Sequence, residues 1–128
     1  MNNQEIELLV ASWIACGNAA QGSEEHEKHF WAVNRVMDLE LDDPELLWKL
    51  ILEITEFELS EKAASSLAAG PVESLLAHHG KDFIDRIEKE ARENSRFRDI
   101  LRGVWQNLMP DDIWARVEKA ADHENYRQ

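Results

Sequence analysis

The chain has 128 residues, with 26 acidic and 14 basic side chains and a formal charge of −12 at pH 7. This length favours one folded domain, and an apolar fraction of 44% with five tryptophans argues against disorder. Nucleic acids and anionic membranes are bound by basic surfaces, so the charge argues against both as partners. It suits a basic protein partner, and it also keeps a small domain soluble.

The sequence predicts a cytoplasmic protein. Cys16 is the only cysteine, so no disulfide can form within the chain. Glu5 and Glu7 interrupt the apolar residues at the N-terminus, which has no basic segment of the kind that precedes a signal sequence. No apolar run approaches the roughly 20 residues of a membrane span.

Two helices are predicted in the first 41 residues. Asn2 or Asn3 caps the first, whose apolar face consists of Ile6, Leu9, Val10, Trp13 and Ile14. Ser23 caps the second, and Glu24 and Glu25 suit the positive end of its dipole. The inward face predicted for this second helix is formed by Phe30, Val33 and Met37.

Asp43 and Pro44 predict a third helix start, because an acidic cap followed by proline suits the first helical turn. Ser60 is expected to begin a fourth, short helix whose alanines allow close packing of a neighbour. Gly70-Pro71 is predicted to end it and to start a two-turn helix that Gly80 closes. Gly70 is expected in a backbone conformation that other residues resist.

Three more helices are predicted towards the C-terminus. A sixth helix has an apolar face of Phe83, Ile84, Ile87 and Ala91. A seventh begins at Ser95, with apolar positions Phe97, Ile100, Leu101, Val104 and Leu108. The last begins at Pro110, Asp111 and Asp112. The pattern therefore predicts an all-α fold of about eight short antiparallel helices. Either an irregular HEAT-like stack of helical hairpins or a compact bundle fits, as a single domain over 1–121 with a frayed tail at 122–128.

The segment from Ala68 to Val117 resembles a widespread bacterial family of small helical domains of unknown function. The likeness rests on Ala-Ala-Gly-Pro at 68–71, Leu-Leu-Ala-His-His-Gly at 75–80 and Gly-Val-Trp at 103–105. The upstream helix, Asp42 to Ile54, is also similar to that family. The resemblance implies no activity, and it does not extend to Met1–Leu41.

Two histidine pairs are the candidates for an enzyme or a metal site. His26 and His29 stand at i and i+3, a spacing that places metal ligands on one helical face. His78 and His79 precede Gly80, where a helix C-terminus favours a protonated imidazole. No further ligand motif accompanies either pair, so structural roles are favoured, and the sequence predicts no metal, cofactor or catalytic residue. Cys16 is predicted to be a small buried residue.

The leading hypothesis is a non-enzymatic, acidic protein-interaction module, such as an inhibitor or immunity-like binder of a basic partner. A mimic of nucleic acid would fit the charge too. Tryptophan is enriched at binding hot spots, and Trp31, Trp48 and Trp105 each lie beside the main apolar stripe of their helix. These three tryptophans, with His78 and His79, are the candidate binding residues. The alternative is a small helical enzyme or metal-binding bundle that uses His26 and His29 or His78 and His79. The oligomeric state is not predicted.

Overall fold

The computed structural model describes residues 1–122, and this part of the chain is helical without any β-strand. The all-α prediction is therefore confirmed. The helices are α1 (Asn3–Asn18), α2 (Glu24–Asp42), α3 (Pro44–Thr55), α4 (Glu61–Leu67), a π-helical segment (Ala68–Val72), α5 (Glu73–Glu93), α6 (Ser95–Leu101) and α7 (Asp111–Ala121). Because 61–93 is helical without a break, residues 1–122 contain six uninterrupted helical stretches rather than about eight.

Side-chain caps fix where the first helices begin, as the sequence predicts. The Asn2 side chain accepts a hydrogen bond from the Glu5 N–H at 2.8 Å. Ser23 Oγ accepts from the His26 N–H at 3.2 Å, and Ser60 Oγ from the Ala63 N–H at 3.1 Å. Each oxygen satisfies an N–H that has no partner within the helix.

Asp43 alone joins α2 to α3. Its backbone N–H donates to the carbonyl of Leu39 at 3.0 Å and so ends α2, while its side chain accepts from the Leu46 N–H at 3.1 Å and so begins α3. A single residue thus serves as the cap of both helices, and proline at the next position needs no donor. The predicted start at Asp43-Pro44 is confirmed.

The chain divides into two compact units, here called the N-terminal unit (Met1–Ser66) and the C-terminal unit (Leu67–Gln128). In the N-terminal unit, α1, α2 and α3 pack against one another. In the C-terminal unit, α5 packs against α6, α7 and the π-helical segment. The single domain over 1–121 remains a prediction, and the tail at 123–128 lies outside the described residues.

The buried face of α2 differs from the predicted one. Phe30 and Met37 are exposed and Val33 is partly exposed, whereas Ala32, Val36 and Leu39 are buried. Apolar residues occupy most sides of this helix, so periodicity did not single out one face. Packing against α1 and α3 selected the face with the smaller side chains, which allows a closer approach.

Gly70-Pro71 does not break the helix, contrary to the prediction. The chain passes through Pro71 as a π-helix, in which the Glu73 N–H donates to the carbonyl of Ala68. A π-helical turn accommodates an extra residue, which lets a proline that lacks an N–H lie within the helix. Gly70 does not have a positive φ, and a Cβ there would meet nothing within 4 Å. The expectation of a strained Gly70 is therefore wrong.

Gly80 does not end its helix either, but the backbone bends beside it. His79 has non-helical angles of φ −135° and ψ 22° inside α5. A Cβ on Gly80 would lie 3.1 Å from Cγ2 of Ile113, so α7 approaches α5 at this point. Glycine is needed here for close packing of two helices rather than for a turn.

The predicted helix over residues 95–108 ends at Leu101 as α6, and a loop follows it. Asn107 has a left-handed φ of 42°, which interrupts a helix. Glu73 stabilises the loop by accepting from the Trp105 N–H at 3.4 Å and from the Asn107 side chain. Val104 is buried, but Leu108 is exposed, contrary to the prediction for this position.

Candidate functional site

The negative charge is concentrated in one of the two units. The N-terminal unit has 14 acidic and 4 basic side chains, a charge of −10. The C-terminal unit has 12 acidic and 10 basic side chains, a charge of −2. A basic partner would therefore be attracted chiefly by the N-terminal unit, since the acidic and basic charges of the C-terminal unit nearly cancel.

The N-terminal unit also exposes an apolar stripe along α2. Phe30 is 40% exposed, Met37 56% and Leu41 68%, and Val33 between them is partly exposed. Positions 30, 33, 37 and 41 are separated by three, four and four residues, so they follow one side of the helix. These four residues are called the α2 stripe below. An exposed row of large apolar side chains is unusual on a monomeric surface and marks interaction sites.

Acidic residues lie beside the α2 stripe. Successive helical residues are rotated by about 100°, which places Glu27 and Asp38 some 60–80° to one side of it. Both are exposed. Trp31, which is 44% exposed, lies further round on the same side of α2. Trp31 is thus exposed between the acidic residues Glu27 and Asp38 on one side and the basic residues Lys28 and Arg35 on the other.

Trp105 is the most exposed tryptophan of the predicted three. It is 72% exposed in the loop between α6 and α7, where Leu108 is exposed as well. The loop is fixed by Glu73, as described above, and by Gln106, whose side chain donates to the carbonyl of Met109 at 3.2 Å and to Asp111 at 2.6 Å. This exposed aromatic side chain is therefore attached to a well-connected loop.

Trp48 is not available as a surface contact. It is 8% exposed and belongs to the buried face of α3. The sequence placed Trp48 at the edge of a broad apolar face, and packing within the N-terminal unit has covered it. The aromatic candidates for binding are therefore Trp31 and Trp105.

His78 and His79 line a cleft within the C-terminal unit. The cleft has a volume of about 430 Å³, and its wall includes Asp82 and Asp112. The two imidazole rings are 6.4 Å apart between centroids and inclined by 62°. The bend at His79 and the close approach of Ile113 to Gly80 form this part of the surface. A pair of imidazoles near two carboxylates is suited to binding a polar molecule or exchanging protons with it.

His26 and His29 lie on α2, in the other unit. His29 Nε2 is 3.3 Å from a carboxylate oxygen of Glu25, and the His26 ring packs against Phe30 with centroids 5.5 Å apart. Within residues 1–122, no three His, Cys, Asp or Glu side chains are grouped so that they could hold a metal ion. The described residues thus contain no group of ligands that would support the metal-binding hypothesis.

Cys16 is buried, as predicted. Its thiol donates to the carbonyl of His26 at 3.5 Å, and burial raises the pKa of the thiol. A raised pKa reduces the thiolate fraction, which is the reactive form of cysteine. The environment of Cys16 is that of a structural residue.

Ion pairs within the C-terminal unit join α5 to α7. Arg116 on α7 donates through Nε to Glu88 at 3.0 Å and through Nη2 to Asp85 at 2.6 Å. The hydrogen bond from Arg116 holds the pKa of Glu88 below its ordinary value. Arg92, four residues after Glu88 on α5, contributes only a weaker electrostatic attraction to it.

These features define an all-α protein with one acidic unit that exposes an apolar helix face and one unit of nearly balanced charge. The chain matches a family of unknown function (DUF6869) over residues 19–125, and it belongs to that family. The match begins before α2, so it includes a region that the resemblance seen in the sequence did not cover. No curated protein and no solved structure matches the chain.

None of the helices in residues 1–122 combines the length and the apolar character that crossing a bilayer needs.

Proposed function

We propose that this protein is a non-enzymatic interaction module that binds a basic protein partner through its N-terminal unit. One observation carries the proposal: the unit with a charge of −10 is also the one whose helix α2 exposes Phe30, Trp31, Met37 and Leu41. Acidic surface alone would serve solubility, and scattered apolar residues are normal on proteins. Their coincidence on one helix is the pattern of a binding surface.

The two kinds of residue have separate roles in this proposal. The acidic residues attract a basic partner over distances of about a Debye length, ~8 Å at physiological salt, and so raise the association rate. The apolar and aromatic side chains are buried on contact and so slow dissociation. Trp31, on α2, is the tryptophan proposed to contribute such contacts. Trp105 is exposed in the C-terminal unit and is a separate candidate, and Trp48 keeps a role in the core.

The experiment begins with purification of the tagged protein from the organism that encodes it, with chemical crosslinking and mass spectrometry. Association and dissociation rates of the recovered partner are then measured at several salt concentrations. We expect association to slow about tenfold or more as salt rises, with little change in dissociation. Association that does not respond to salt would show that the acidic surface has no role in binding.

An inhibitor or immunity-like role, in which the module neutralises a basic partner, is the form of this function that we favour. We propose that it operates in the cytoplasm, since a single cysteine suits a reducing compartment. A HEAT-like stack of helical hairpins, one of the two arrangements predicted from the sequence, would suit it, since such stacks present extended surfaces to partners. Neutralisation is tested by measuring the partner's own activity alone and in the complex. Loss of that activity in the complex would support neutralisation, whereas an unchanged activity would argue against it.

The cleft at His78 and His79 favours one second candidate, a small helical enzyme that acts on a polar molecule by proton transfer. Replacing both histidines by alanine separates the two candidates. The interaction proposal expects partner binding to be unchanged, because the cleft lies in the C-terminal unit. Loss of a measured catalytic turnover in the same variant would favour the enzyme.

A further inference from the structure

We propose that the α2 stripe docks an amphipathic helix of the partner, one whose apolar face is bordered by lysine or arginine side chains. This inference rests on the proposed function and adds to it the place of contact and the chemistry of the segment bound. Three observations support the inference: the length and spacing of the α2 stripe, the acidic residues beside the stripe, and the negative charge of the N-terminal unit.

The α2 stripe has the dimensions of a helix contact. The stripe begins at Phe30 and ends 11 positions later at Leu41, a length of about 16 Å at 1.5 Å per residue, or three turns. Its spacing of three and four residues matches the apolar row that a second helix presents. Met37, at its centre, has a flexible side chain that adapts to different apolar surfaces.

The acidic residues beside the stripe select the charge of the docked helix. Glu27 and Asp38 are exposed on one side, and Glu40 lies on the other. A helix packed along the stripe would place its flanking positions near these carboxylates. Lysine or arginine at those positions would form favourable pairs, whereas aspartate or glutamate would be repelled.

The same charges argue against two other occupants of the stripe. A second copy of this chain would bring a further unit of charge −10 to the contact. An anionic membrane would likewise be repelled, although it could accept the apolar side chains. A basic amphipathic helix is the occupant that satisfies both the apolar row and its acidic borders.

The probe for this inference is a synthetic 18-residue peptide made of leucine and lysine, with leucine at helical spacing on one face. Two matched peptides serve as controls. In the first, the same residues are reordered so that no apolar face exists, and in the second, glutamate replaces every lysine. Binding is followed by fluorescence anisotropy of the labelled peptides, and the contact is located by amide shifts in NMR spectra of the labelled protein.

We expect saturable binding of the leucine-lysine peptide, at least tenfold tighter than that of the reordered peptide, and no binding of the glutamate peptide. The amide shifts should centre on α2. A double variant, Met37→Ser with Leu41→Ser, should weaken binding about tenfold or more. Leu8→Ser, which changes an exposed leucine on α1, should leave it within twofold. Equal binding of the reordered peptide, or equal losses in the two variants, would overturn the docking site.

The native partner separates this inference from the function on which it rests. If the partner binds the Met37→Ser, Leu41→Ser variant normally but loses affinity with Trp31→Ala, binding through the N-terminal unit stands and the docking site on the α2 stripe is wrong. If crosslinking recovers no partner whose association depends on salt, the proposed function itself fails. Circular dichroism of each variant confirms that its helices are intact before binding is compared.

Discussion

The N-terminal and C-terminal units are built from the same kind of element but differ in what they expose. Both are helical with buried apolar side chains, yet their charges are −10 and −2. The C-terminal unit pairs Arg116 with Asp85 and Glu88, and Arg102 with Asp99. A helical unit of similar length can therefore be formed with nearly balanced charge. Helix packing does not by itself require the excess charge of the N-terminal unit, and we propose that this charge serves binding.

Exposed apolar residues follow the same division. Four large apolar side chains are exposed on α2 alone, whereas the described part of the C-terminal unit exposes Trp105 and Leu108 in one loop. Burial of apolar area stabilises a fold by roughly 25 cal/mol per Å², so a helix that leaves such side chains in water forgoes stability. On α2 that stability would be recovered on binding a partner.

Removal of a core side chain should have the largest effect, and it tests whether the two units unfold together. Ile51→Ala in the N-terminal unit and Ile87→Ala in the C-terminal unit each remove a fully buried side chain. Each should lower the free energy of unfolding by about 2–5 kcal/mol. Urea unfolding followed by circular dichroism measures the change. The single-domain prediction expects one transition that shifts in both variants, and two separate transitions would contradict it.

Gly80→Val should have the next largest effect, because a Cβ at this position would lie 3.1 Å from Ile113. Forcing α5 and α7 apart should cost about 1–3 kcal/mol of unfolding free energy. Gly70→Ala is the matched control, since space is open there. It should be neutral or stabilising by up to about 1 kcal/mol. If Gly70→Ala were the more damaging change, the assignment of the two glycines would be reversed.

Charge reversal should separate the two units by their effect on binding. Glu27→Lys with Asp38→Lys should slow association with the leucine-lysine peptide about tenfold at low salt. Asp82→Lys with Glu93→Lys, two exposed carboxylates of the C-terminal unit, changes the net charge equally and should slow it far less. Stopped-flow fluorescence gives both rates. Equal slowing would mean that net charge, and not its location, governs the encounter.

Loss of the Glu88 ion pair should have the smallest effect. The pKa of Glu88 is lowered in the folded chain, so its contribution to stability is complete above the ordinary pKa of about 4.5. That contribution disappears as the pH falls through the lower, folded value. Glu88→Gln should cost about 1 kcal/mol or less at pH 7, because Arg116 is largely open to solvent. Thermal melts between pH 3 and 7 should show a weaker acid destabilisation in the variant. An equally steep loss would contradict the role of this pair.

Sequence patterns anticipated the features that depend on neighbouring residues. Asn2, Ser23, Asp43 and Ser60 were identified as helix starts because a cap acts within three residues of itself. The buried face of α5 at Phe83, Ile84 and Ile87 was also found, since that helix has a single apolar side. The sequence did not show that Trp31 and Trp105 are exposed while Trp48 is buried, because neighbouring residues do not reveal which side of a segment the rest of the chain covers.

The sequence by itself determined the all-α class, the capped helix starts at Ser23, Asp43 and Ser60, and the total charge, because propensity, capping and composition are local quantities. Tertiary structure decided which face of α2 is buried, that the chain continues through Pro71 as a π-helix, and that α6 ends at Leu101. The buried face of α2 depends on its packing against α1 and α3. The π-helix depends on the hydrogen bond from the Glu73 N–H to the carbonyl of Ala68, and the end of α6 is accompanied by the contact of Glu73 with the loop at Trp105. The exposure of the α2 stripe follows from the first of these contacts. α2 is apolar on most sides, and packing has covered the side opposite the stripe.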